Sequence, residues 1–307
     1  MEEHELPADA QKVLHDLQKK KKIVAMLAPS FVVDFQYPDI VLTLKKMGFD
    51  KVCELTFGAR IINRCYRRII KENPDTMFIS TTCPVITRMV KERYPKYAKN
   101  LIPIVSPIGA TARIMEKNYP KHELFFVAPC PAKREEAKMY GVEHTLTFKE
   151  LKQLIGYFAE KNLFKCPKIA SHMFDRFYEE YTKIYPLSGG LTDTLDKHGI
   201  LTKDKILIAE GPEKVEKLLA SKIPEKICFL DILFCKGGCI GGPGVASSDS
   251  IDIRHKRVID YRNFAKVEKM GKHRGLIKDT KGISFATPKE YVDNIYCTEC
   301  ETCPEKK

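Results

Sequence analysis

Long apolar runs are missing from this 307-residue chain. No segment approaches the roughly 20 consecutive apolar residues that a membrane-spanning helix needs, so no membrane association is expected. The first 22 residues lack the apolar core and small-residue cleavage site of a secretory leader. They open on acids and end on four lysines, Lys19 to Lys22, which reads as a cytoplasmic start. The marks of a nucleic-acid binder are missing too. The net charge of +12 comes from lysines spread over helical stretches, without interleaved aromatic residues and without a helix-turn-helix, finger or RNA-binding motif. Nucleic acid is therefore not an expected partner. A lysine-rich surface is first of all a solvated one, although it can also steer an acidic electron carrier.

Cysteine, in contrast, is plentiful. Eleven of them in a chain long enough to bury a full core without staples point to thiols and metal ligands rather than disulfides. The chain alternates short apolar runs with helical patterns. Ile23 to Leu27, Lys51 to Leu55, Met77 to Ile79, Leu101 to Val105, Leu124 to Ala128, Lys205 to Ala209 and Ile227 to Phe234 read as buried strands. Ile40 to Met47, Ala59 to Lys71, Ala110 to Lys117, Phe148 to Glu160 and Pro212 to Ala220 read as helices between them. The expected class is α/β. Residues 1–21 form a helical N-terminal arm, 22–245 the main domain, and 246–307 a charged tail or subdomain without long periodic segments.

The cysteines that matter fall where strands end, which in open parallel sheets is where ligands bind. Cys83 lies in Thr81-Thr82-Cys83-Pro84, Cys130 in Ala128-Pro129-Cys130-Pro131-Ala132-Lys133, and Cys235 and Cys239 share the glycine-rich run Cys235 to Gly244. Glycines let backbone approach a bulky group closely, and thiolates select soft metals. Four thiolates on three loops can hold one iron-sulfur cubane. Structural zinc is the alternative, but it usually takes paired cysteines on tight knuckles. Cys53, Cys65 and Cys228 sit at apolar positions and read as small core residues.

These motifs, with Ala28-Pro29-Ser30 and Ser188-Gly189-Gly190, resemble in order and spacing the active-site domain of the FeFe hydrogenases over roughly residues 22 to 245. The resemblance implies two lobes with small parallel sheets flanked by helices. The cleft between them would hold the H-cluster, a 4Fe-4S cubane joined to a di-iron subcluster. Cys83, Cys130, Cys235 and Cys239 would ligate the cubane, and Cys239 would bridge to the di-iron unit. Lys133 would donate a hydrogen bond to a cyanide of that unit, and Glu136 would orient Lys133 from the same helical face. Pro29, Ser30, Gly189, Gly190 and Gly238 would line or support the cofactor.

The chain departs from the family pattern where protons move. Efficient members carry a relay cysteine before the first ligand; here that position is Thr82, whose hydroxyl does not ionise near neutral pH as a thiol does. Ala128 replaces the methionine that begins the second motif, and Leu233 and Phe234 replace the methionine and alanine before Cys235. The helix after Thr56-Phe57-Gly58-Ala59 reads Arg60 to Arg68 without a carboxylate, where efficient enzymes carry acidic relay residues. The pattern resembles the minimal, sensory branch of the family. It implies slow H2 oxidation and proton reduction, with a ferredoxin-like carrier or a signalling partner, and dependence on di-iron maturation enzymes. The alternative is a non-catalytic 4Fe-4S protein, serving electron transfer, iron-sulfur assembly or redox sensing, without the di-iron unit.

No ferredoxin-like domain precedes the main domain, but Cys297, Cys300 and Cys303 have the spacing of a cubane site. An accessory 4Fe-4S cluster is expected there, with Cys166, His273 or a partner's cysteine as its fourth ligand. Zinc, or a sequence ending before its fourth cysteine, are the other readings of this motif.

Overall fold

The structure is a computed structural model that describes residues 2–166, 172–195, 201–267 and 273–288. Helix α1 (Ala8–Gln18) precedes β1 (Ile23–Leu27), α2 (Asp39–Met47), β2 (Lys51–Glu54), α3 (Thr56–Glu72), β3 (Phe78–Ile79) and α4 (Pro84–Arg93). There follow α5 (Pro107–Asn118), β4 (Glu123–Ala128), α6 (Lys133–Lys138), β5 (His144–Thr147), α7 (Phe148–Glu160) and α8 (Gly190–Leu195). The last elements are β6 (Ile206–Glu210), α9 (Pro212–Ala220), β7 (Phe229–Leu233) and α10 (Ile251–Val267). Two all-parallel sheets result, one of four strands in the order β2-β1-β4-β5 and one of three in the order β3-β7-β6. The expected α/β class and its small parallel sheets are what is found.

Local chemistry accounts for many of the element boundaries. Every residue of β1 and of β7 is buried, as befits central parallel strands covered on both faces. Helices α4, α5 and α9 each begin at a proline, whose fixed φ and missing N–H suit a first turn. Helix α7 is opened by a capping box: Thr147 Oγ1 accepts from the Glu150 amide and Glu150 accepts from the Thr147 amide at 2.7 Å. Each sheet has its own core: the larger gathers α1, α2, α3, α5 and α7 around the first sheet, and the smaller joins α4 and α9 to the second.

The segment Leu101 to Val105 does not form the expected strand. Residue 101 bridges Ile79 and residue 104 bridges Ala286, while the intervening carbonyls of Ile102 and Ile104 are taken by Thr81 Oγ1 at 3.1 and 2.9 Å. Pro103 interrupts any ladder there. Conversely, α10 falls where no long periodic segment is expected, because it buries only the stripe Val258, Tyr261 and Ala265.

Two buried polar groups tie the layers. Lys183, fully buried, donates to Glu54 Oε2 at 2.5 Å and to the Tyr261 hydroxyl at 2.6 Å, and its ammonium lies 3.9 Å from the centre of the Tyr261 ring. Asp231 on β7 accepts from the amide and hydroxyl of Thr192 at 3.1 and 2.8 Å. Burial raises its carboxyl to about 6, against the pull of those bonds. Because the folded value lies above the unfolded one, this group's contribution is favourable at low pH and is lost as pH rises from about 4 through about 6. Asp231→Asn keeps both acceptor contacts without a buried charge. It should stabilise the protein by about 1–3 kcal/mol at pH 7, with the gain disappearing near pH 4. Urea unfolding at the two pH values measures both.

Candidate metal centre and its cavity

Five strand ends converge. Ala28-Pro29-Ser30 follow β1, Leu55 follows β2, Thr81 to Cys83 follow β3, Pro129 and Cys130 follow β4, and Phe234 and Cys235 follow β7. All lie at the carboxyl edges of the parallel strands, the expected place for a ligand. The groove of about 920 Å³ lined by Lys96, Lys99, Lys222 and Lys226 lies at the opposite, amino-terminal edge of the second sheet, so it belongs to a different face.

The third motif is locked to the other loops through its backbone. The Cys239 amide donates to Pro186 O at 2.7 Å, and the Gly244 amide donates to Pro129 O at 2.9 Å. Gly238 has φ +77, and a Cβ there would stand 2.5 Å from Pro186 O, so only glycine permits this approach. Gly189 and Gly190 support the Pro186 turn from behind; a Cβ on Gly190 would meet Ile184 O at 1.9 Å. None of these three glycines lines the cavity. Pro29, Ser30 and Thr82 do.

The cavity, of about 70 Å³, has mostly apolar walls, including Leu55, Ile108 and Phe126, with Lys133 and Cys239 among the polar exceptions. The Ser30 hydroxyl is fully buried and has no partner. Lys133 Nζ donates to Glu136 Oε2 at 2.6 Å and to Thr82 O at 2.8 Å, with Ser106 Oγ at 3.5 Å. Burial works against its charge, but Glu136, together with the Cys83 and Cys239 sulfurs, raises its pKa. The ammonium is therefore fixed and charged. Glu136 is itself buried, and its second oxygen has no partner.

Cys83, Cys130, Cys235 and Cys239 are half-buried and unpaired, and they act on one another electrostatically. Burial pushes the Cys235 thiol up to about 11, helped by Cys83 and Cys130. Burial likewise raises Cys130 and Cys239; for Cys239 the Cys83 sulfur adds to the rise and Lys133 opposes it. Soft ligands of this kind suit iron and sulfide, and metal binding must displace their protons. Among the described residues, the one group of three or more metal-ligating side chains that converges within 4.8 Å is Asp16, Glu123 and His144. Lys21 already bridges its two carboxylates at 2.9 and 2.8 Å. The four thiols are thus spaced too widely to chelate one ion as a set, while an orphaned serine hydroxyl and a fixed ammonium face the adjoining cavity. The donor set fits a cluster with an appended anionic group better than a single metal ion.

The family model for the iron-only hydrogenase large subunit, C-terminal domain, matches residues 21–243. The chain belongs to this family. Iron hydrogenase 1 of Clostridium pasteurianum is 23% identical over 261 residues, covering 67% of this chain and 45% of that protein. The chain therefore spans less than half the length of this curated relative. The fold is also that of solved FeFe-hydrogenases. HydA(deltaEFG), from a study of stepwise H-cluster assembly, has a TM-score of 0.56 at 16% identity, over 85% of this chain and 89% of the other. A variant of apo HydA1 from Chlamydomonas reinhardtii has a TM-score of 0.56 at 15% identity, over 89% and 92%. Iron-sulfur and oxidoreductase chemistry are properties of this family, and among the described residues no helix is long and apolar enough to cross a membrane.

Within this iron-only hydrogenase fold, several cavity residues carry no motif signal in the sequence. Leu55, Ala59, Pro107, Ile108, Phe126 and Tyr185 reach the cavity from four separate segments, and nothing in their local pattern separates them from ordinary core positions. Ser106-Pro107 at the start of α5 is the one punctuation mark that could have pointed there. Of the cysteines read as core, Cys53 and Cys65 are buried, while Cys228 is only half-buried because it sits just before β7, where it lines the lysine groove. Cys166 is exposed, and His273 bonds the Asp175 carbonyl through Nδ1 at 3.0 Å. Cys297, Cys300 and Cys303 lie outside the described residues.

Proposed function

We propose that this chain binds an H-cluster and interconverts H2 with protons and electrons slowly, as a sensor rather than a high-flux hydrogenase. The observation that carries the reading is Cys239. Of the four motif thiols, it alone lines the cavity, together with the fixed Lys133 ammonium. Cys83, Cys130, Cys235 and Cys239 would hold the cubane, and Cys239 would be the ligand next to a di-iron unit in the cavity. When bound, that group supplies the iron at which the H–H bond is made or broken.

The protein's own part is to hold, exclude and orient. Glu136 fixes Lys133, whose remaining donor direction has only the distant Ser106 hydroxyl and is available to a cyanide-type anion. Ser30 offers an unpaired hydroxyl. Pro29, Leu55, Ile108 and Phe126 keep water out. Thr82 lines the cavity but cannot donate and recover a proton near pH 7. Its carbonyl is occupied by Lys133. On α3, residues 60, 64, 67 and 68 are arginines, and the helix carries no carboxylate before Glu72. These features support slow turnover. Electrons would come from a ferredoxin-like carrier or pass to a signalling partner, and maturation enzymes would supply the di-iron unit. The cysteine trio Cys297, Cys300 and Cys303 would hold an accessory 4Fe-4S cluster.

One observation favours the alternative of a cubane-only protein: two of the Lys133 protons are already satisfied by Glu136 and Thr82. Infrared spectroscopy of protein matured anaerobically with the di-iron maturation enzymes decides between them. Bound CO and CN bands with H2 turnover far below that of an efficient hydrogenase are expected. Absence of the bands in protein that carries about four to eight irons would overturn the reading.

A further inference from the structure

The stretch of α3 from Arg60 to Arg68, which has no carboxylate, borders a groove. Arg60, Arg64 and Arg67 stand on one side of α3 and, with Arg274, line a concavity of about 550 Å³ whose one lining carboxylate among the described residues is Glu179. Spacings of four and three residues put the three α3 guanidinium groups over one another, where like charges destabilise a helix. Burial lowers the Arg67 pKa, and the neighbouring Arg64 and Arg60 charges lower it further. A fold does not need this arrangement.

The compensation is incomplete. Arg60 pairs with Glu179 at 2.7 Å, and Arg274 pairs with Glu180. Arg67 reaches only the neutral Leu195 carbonyl at 3.3 Å, and Arg64 has no partner among the described residues. Two guanidinium charges are thus left facing a concave space of small-ligand size. The planar fork of arginine matches phosphate oxygens in pairs. We infer that the α3 groove binds a small phosphate-bearing anion carrying two or more negative charges, whether free pyrophosphate or the diphosphate of a nucleotide. The volume of the concavity, about 550 Å³, is that of a site for one small ligand. The binding does not depend on the presence of any iron cofactor.

Isothermal titration of the full chain with pyrophosphate and with ADP, at about 0.15 M salt, tests this. One-to-one binding is expected for at least one of them, weakened at least about tenfold by Arg64→Ala and partly recovered by Arg64→Lys, which restores the charge without the fork. Lys222→Ala, in the distant lysine groove, should bind as wild type does. Equal affinity for the two ligands would identify the diphosphate group alone as the determinant, and tighter binding of ADP would identify a nucleotide; both support the inference. Binding of neither ligand, Arg64→Ala affinity equal to wild type, or equal weakening by Lys222→Ala would overturn it. So would displacement of pyrophosphate by a single-stranded oligonucleotide that binds more tightly.

Discussion

Cys239→Ser protein, reconstituted anaerobically and then matured, is expected to hold about six fewer irons than wild type, about four of the cubane and about two of the di-iron unit, and to show no CO or CN bands. The substitution removes the one motif thiol that lines the cavity. It leaves the loop in place, because the Cys239 contact that orders the chain is its amide bond to Pro186 O. The matched control is Cys65→Ser, on the buried side of α3, which should keep the wild-type iron content. Comparing the two by iron quantification cancels any iron held by the C-terminal cysteines. Equal iron in both variants would sink the ligand assignment.

The largest stability effect is expected at Lys183. Replacing it with alanine leaves the Glu54 carboxylate buried without a cation, a change that typically costs about 3–5 kcal/mol. Burial already pushes the Glu54 carboxyl up against the opposing pull of Lys183, so the pair is held at the expense of desolvation. Removing both charges should hurt less than removing one. The Glu54→Gln, Lys183→Met double variant is expected to recover part of the loss, although the Tyr261 hydroxyl bonds to both Glu54 and Lys183 and must find a new partner. Urea midpoints of the wild type, Lys183→Ala and the double variant give the comparison. A Lys183→Ala midpoint equal to wild type would contradict the account.

Much of this architecture can be read from the chain because the strands are short, apolar and end at punctuation. Ile23 to Leu27 stops at Ala28-Pro29, and Phe229 to Leu233 stops just before Cys235, so strand ends and site loops are marked by the same residues. The failures have physical causes. Leu101 to Val105 is apolar enough for a strand, but Thr81 claims its carbonyls and Pro103 prevents a ladder. Helix α10 hides because its buried stripe is three residues wide and the rest is charged. In the site, the thiols and Lys133 are legible as chemistry. The cavity walls are not, since Ala59 and Phe126 become neighbours only through tertiary packing.

The bonds from Cys239 to Pro186 and from Gly244 to Pro129 are made by main-chain atoms and need no metal. The socket is therefore assembled by folding itself, on two cores whose buried side chains are overwhelmingly hydrocarbon. This separates the chain from small metallodomains, in which metal affinity and folding energy are the same quantity and chelation unfolds the protein. Here chelation is expected to strip the thiols while the two cores stay folded.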